Sequence, residues 1–176
     1  MAERELSFEA TVYSHQIPAI TRLAADFPQT PIVLSHAGTP VAIAGPFGGL
    51  GTTEDGRNAT DQAWRRNLQS LAEQPNVTVK ISGLTMPVIG YGFHTRAVPD
   101  TTELAAALHP YVSFLIDTFG ADRCMFASNF PIDKVSVSWI TLFHAFDKLT
   151  SDRPADDREA LFHRTASRVY RLTKQE

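Results

Sequence analysis

Three residues combine a reactive or orienting side chain with a telling position: His36, Asn129 and Asp133. His36 closes the run P-I-V-L-S-H at 31–36, just before Ala37-Gly38-Thr39-Pro40. An imidazole at such a point ligates a metal, takes a proton, or simply holds a structural hydrogen bond. Asn129 follows the apolar run C-M-F-A at 124–127 and precedes Phe130-Pro131. Its amide orients a carbonyl or carboxylate but is no general base. Asp133 is the nearest carboxylate and can take that part, or it can cap a following helix.

A second tier would receive substrate. Lys80 interrupts the β-forming run N-V-T-V-K-I-S at 76–82. Alternation puts Thr78, Lys80 and Ser82 on one face of a strand, so Lys80 is either an anion-binding group or half of an internal ion pair. His94 and Arg96 lie in an aromatic loop, where arginine suits bidentate carboxylate recognition or is merely solvated. His15 ends the first β-rich stretch. His109, His144 and His163 fall in helical patterns and read as surface or packing residues, and Trp64 reads as core.

These side chains need elements to carry them. Strands are expected over 6–14, 31–36, 76–82 and 123–128. Helices are expected after Pro18, from about Thr60 as N-cap to Glu73, over 101–119 with Thr101 or Thr102 as cap and a kink or split at Pro110, over 136–149, and over 155–170. Strand-helix alternation predicts an α/β fold with a parallel sheet and right-handed crossovers. Two long loops, 41–58 with five glycines and 83–99, then follow the second and third strands. They lie on the same C-terminal rim as His36 and Asn129, where such folds place their chemistry.

Composition narrows the function further. A chain of 176 residues, 43% hydrophobic and 20% charged, suffices for one domain with a core. A net charge of −3 gives no reason to expect nucleic acid or an anionic membrane. No apolar run approaches a membrane span and no signal layout opens the chain, so a cytoplasmic location is expected. The single cysteine, Cys124, sits among apolar neighbours and reads as a small buried hydrophobe. There is no phosphate-binding glycine fingerprint, no GxSxG, and no HxH or HExxH pair.

The segments at 31–40, 76–84, 92–96 (G-F-H-T-R) and 123–134 (R-C-M-F-A-S-N-F-P-I-D-K) resemble the amidohydrolase-related family, the branch of the amidohydrolase superfamily that includes small lactonases. The resemblance runs over nearly the whole chain. It implies a TIM-type (β/α)₈ barrel of which this chain holds about strands five to eight plus a C-terminal helix: residues 1–176 as a single domain, truncated at its N-terminal side. It also implies a hydrolase of a lactone or amide of a small, carboxylate-bearing molecule. His36, Asn129 and Asp133 would be catalytic, and His15, Lys80, His94 and Arg96 substrate-binding. His36 would be a metal ligand whose companions are absent from this chain. Zinc or manganese is therefore a family expectation that the chain alone does not support. Asn129 stands where most of the superfamily has an aspartate. Two other readings stay open: a decarboxylase of the same barrel family, and an inactive half-barrel acting as a binder or assembly subunit. Four strands alone would bare two edges and an inner face, which predicts a homo-oligomer or pairing with an N-terminal half-barrel.

Overall fold

The computed structural model describes residues 6–172. Its sheet has four parallel strands in sequential order: β1 (Phe8–Ala10), β2 (Ile32–Leu34), β3 (Val77–Ile81) and β4 (Cys124–Phe126). The register is simple. Ala10, Leu34, Val79 and Cys124 lie in one row across all four strands. The strands are shorter than the β-rich runs suggest, because each run leaves the sheet for a turn before its polar end.

Between the strands run α1 (Ile17–Asp26), α2 (Glu54–Ala72) and α3 (Thr101–Phe119), and after β4 come α4 (Trp139–Leu149), α5 (Ala155–Glu159) and α6 (Thr165–Tyr170). A π-helical turn, Ala160–Arg164, joins the last two. Local chemistry fixes the helix starts. Thr53, not Thr60, caps α2 by accepting the Gly56 N–H at 3.1 Å. This adds about two turns ahead of the expected start, with Glu54 and Asp55 against the positive end of the helix. Asp100, not Thr101 or Thr102, caps α3, its Oδ1 accepting two backbone N–H groups at 2.8 Å. Pro110 does not split α3. Ser138 caps α4, which begins at Trp139 rather than Ser136.

The inward stripes of these helices, including Leu68, Leu108, Val112 and Phe146, pack on Leu34, Val79, Ile81 and Phe126 in one continuous core. Trp64 is fully buried there. Cys124 is buried too, its thiol pushed up to about 12 by loss of water, which leaves it inert. At the N-terminal ends of the strands, two side chains gather helix-terminal carbonyls. Asn76 Nδ2 donates to Ala24, Phe27 and Thr30. Arg123 donates to Ala72, Gln74 and Phe119. That end is held by carbonyl capping.

The barrel-facing side of the sheet departs from expectation. Val33, Thr78 and Met125 are buried although only the opposite face meets the main core. The chain's end returns to this face. Val169 and Arg168 line one hollow with Val33 and Thr78, and the Tyr170 hydroxyl donates to Glu9. The inner face is thus partly covered within the chain, not bare.

The two long loops are ordered against each other. Ala42 N donates to Val88 O at 2.8 Å and Ala44 N to Ile89 O at 3.0 Å. Backbone meets backbone where Gly45 faces Gly90. A Cβ on Gly90 would lie 2.1 Å from Gly45 O, at a φ of +101°. We expect Gly90→Ala to cost about 1–3 kcal/mol and lower the melting temperature by at least roughly 2–4 °C, measured by calorimetry. An unchanged melting temperature would show that the loops are not locked there.

Candidate active site

The rim turn begins where β2 runs out. Residues Ser35–Gly38 coil tightly, with His36 (φ 54°), Ala37 (φ 50°), Gly38 (φ 69°) and Thr39 (φ 37°) all left-handed. Three of these carry a Cβ, so the turn is strained by roughly 1–2 kcal/mol at each. Its surroundings hold it in place. Trp64 Nε1 donates to Ala37 O at 2.8 Å. Gly38 leaves no room for a side chain, since a Cβ would stand 2.7 Å from Ile17.

This turn throws the His36 ring across to the end of β3. His36 Nδ1 and Ser82 Oγ are 2.9 Å apart. A Cβ on Gly83 would come 2.8 Å from Nδ1, so the imidazole lies against the bare Gly83 Cα. With Nδ1 occupied, Nε2 is the nitrogen left for the cleft.

After β4 the chain reverses at Asn129, through a cis Phe130–Pro131 bond, into the turn Ile132–Val135. The reversal buries Asp133 completely. Asp133 Oδ2 accepts the Asn129 N–H at 3.0 Å. Asp133 is therefore no helix cap. The Thr85 hydroxyl and the His36 ring lie close enough to act on its carboxyl, yet Oδ1, Thr85 Oγ and the Asn129 amide nitrogen are buried without a protein hydrogen bond. Unmet polar atoms of this kind mark a place for water or a ligand.

Burial drives the two titrating groups apart. Loss of water pushes the Asp133 carboxyl up, against the pull of Asn129, Thr85 and His36. Loss of water pushes the His36 imidazole down, with Asp133 opposing and Lys80 assisting. Near neutral pH the lowered His36 ring is uncharged, and the Asp133 carboxyl holds a proton more tightly than an ordinary aspartate does.

A cleft of about 500 Å³ opens above these groups. His36 and Asn129 line it, with Thr39, Tyr13 and Gln16 as polar neighbours and Met86, Val88 and Ile132 among its apolar walls. Neither lysine nor arginine lines it among the described residues. The substrate-binding candidates lie elsewhere. Lys80 Nζ bonds Glu9 at 2.8 Å and sits 5.2 Å from the Tyr170 ring centroid. These bonds outweigh burial, holding Glu9 below and Lys80 above their ordinary values. Arg96 pairs with Glu103 at 2.7 Å and stacks on Phe93. His94 is exposed on the same loop. His15 stacks on Tyr13 and borders a different hollow, beside Ala63 and Asn67. Sequence reasoning passed over Ser82 and Gly83; the alternation that placed Ser82 at the rim end of β3 was the available signal.

A family model described as amidohydrolase matches residues 1–172. An uncharacterised protein of Sinorhizobium fredii is 37% identical over 98% of this chain and 49% of its own length. An L-fucono-1,5-lactonase of Burkholderia multivorans is 30% identical over 94% of this chain and 51% of its own. An amidohydrolase of Burkholderia multivorans solved with bound zinc superposes with a TM-score of 0.78 at 26% identity, covering 98% of this chain and 55% of that one. The chain spans about half the length of these relatives. Its parallel four-stranded sheet with flanking helices matches half of an amidohydrolase TIM barrel, and the chain belongs to the amidohydrolase family.

Proposed function

We propose that the rim cleft hydrolyses a lactone by attack of an activated water, as the lactonase name of the Burkholderia multivorans relative suggests. The observation that carries this reading is the pair His36 and Asp133, whose environments push their proton affinities in opposite directions at one spot. Such pairs divide acid and base work between them. A water at the free Asp133 Oδ1 gives up a proton to the carboxylate as its oxygen adds to the lactone carbonyl. His36 Nε2 bears on the carbonyl oxygen as it gains charge. The C–O bond to the ring oxygen then breaks, and that oxygen takes the proton back from Asp133 to leave a hydroxy acid. Asn129 orients the ester. The cleft has hydroxyl and amide groups but no cationic side chain among the described residues. These groups suit a hydroxyl-bearing lactone, and a cation for the carboxylate expected from sequence would have to come from outside the described residues.

The zinc of the solved relative is a separate matter. A catalytic zinc takes at least three protein ligands. No group of three His, Cys, Asp or Glu side chains converges among the described residues, and His36 and Asp133 offer two donors. These residues alone do not complete a site for the ion, and no step above is routed through it.

Two predictions test the reading. With L-fucono-1,5-lactone as probe, Asp133→Asn lowers kcat by about 10²–10⁴-fold, the usual worth of a general base. Turnover equal to wild type would remove Asp133 from the reaction. The second concerns stability. Asp133 has a folded-state proton affinity raised above that of the unfolded chain. Its ionised form therefore costs the fold stability, in full above the raised value and not at all below the ordinary one. Asp133→Asn should melt higher than wild type at pH 7, by roughly 2–4 °C per kcal/mol relieved, and equal to it below about pH 3.8. A lower melting temperature for the variant at pH 7 would mean that the charge is stabilised, not penalised.

A further inference from the structure

We propose that Ser82 is a positioning residue that fixes the His36 proton on Nε2, so that the neutral ring presents an N–H, not a lone pair, to the cleft. The consequence for catalysis rests on the reading given above; the placement of the proton does not.

Ser82 follows directly on β3 and is 1% exposed. Its hydroxyl is within hydrogen-bond distance of His36 Nδ1, at 2.9 Å, and has no other partner among the described residues. A serine hydroxyl carries one hydrogen and two lone pairs. If Nδ1 carried the ring proton, it would donate to Ser82 Oγ, and the buried serine hydrogen would point at nothing. If Ser82 donates to Nδ1 instead, that hydrogen is satisfied. A buried donor left unmade costs about 1–3 kcal/mol, which decides between the two arrangements. Neutral imidazole carries one proton, so Nε2 then holds it.

The ring is packed on the side that meets Ser82. The imidazole lies against Gly83, with Met86 beside the same Cα. The backbone carrying it is pinned by the Trp64 bond to Ala37 O. A fixed N–H aimed at the cleft polarises a carbonyl and meets the charge that grows on its oxygen. It leaves proton abstraction from water to Asp133. One serine outside the cleft thereby assigns the roles of both reacting groups.

The test needs no turnover. Long-range ¹H–¹⁵N NMR of the full chain near pH 8 reads which imidazole nitrogen bears the proton, with the His36 signal identified by its loss in His36→Asn. Wild type should show a protonated Nε2 and a bare Nδ1. Ser82→Thr, which keeps the hydroxyl, should show the same pattern. Ser82→Ala should show an averaged or reversed one. A proton on Nδ1 in wild type overturns the proposal whatever the variants do. So does an unchanged pattern in folded Ser82→Ala. If that variant does not fold, Ser82→Cys, a weaker donor, should shift both nitrogens toward averaging, and unshifted nitrogens overturn it. A chain that passes this test yet hydrolyses no lactone would retain the proton assignment and lose only the reaction.

Discussion

The site depends on a run of four left-handed residues, His36 to Thr39, three of them with side chains. Such a run is unfavourable by itself, and much of the nearby structure can be understood as what holds it. The α2 helix brings Trp64 to the Ala37 carbonyl. The α1 helix packs Ile17 under Gly38. The end of β3 supplies Ser82 to the imidazole and a glycine where the ring lies. A relaxed turn would carry His36 off along the line of β2. The strained one carries it sideways over β3, toward the reversal that follows β4.

Electrostatics follow from that placement. His36 and Asp133 come from β2 and β4, with β3 between them, and both lose water where the rim closes over them. The burial that makes each group useful also makes each costly to the fold. An unpaired carboxylate oxygen in a dry setting is tolerated where function gains from it. Glu9 and Lys80 show the alternative outcome. They meet on the barrel-facing side, satisfy each other and Tyr170, and form a stable floor. Both clusters are polar and partly dry, but only the first retains unsatisfied atoms.

Much of this was legible from residue order. Apolar runs ending in Ser35-His36 and Ser128-Asn129 located the sheet and its working rim, because a buried parallel strand leaves a continuous hydrophobic signal. The glycine-rich loop signalled a special conformation. What could not be read were contacts set by register and by distant chain. Glu9 reaches Lys80 across β2 and meets Tyr170 from 161 positions away. Asp133 was open to a catalytic or a helix-capping reading because caps are local, whereas its burial depends on the reversal between 129 and 133. Arg96 was open to a ligand-binding or a solvated reading, and its exposed partner Glu103, on the first turn of α3, could not be read from the loop. Alternation placed Ser82 at the rim end of β3, but its partner lies 46 residues earlier. The cover over the inner face was hidden for the same reason: α6 reads as one more amphipathic helix until its last turn meets β1 and β3.

The central claim is that buried Asp133, as a carboxylate, and neutral His36 act together on a lactone. The pH dependence of enzymatic lactone hydrolysis, corrected for the spontaneous rate, tests it most directly. Both working forms are lost on acidification: Asp133 by protonation at a raised value, His36 by protonation at a lowered one. The account predicts a rate that falls on the acid side with its midpoint above 3.8, where an ordinary aspartate titrates. A rate still undiminished at pH 3.8, or no enzymatic rate at any pH, would contradict it.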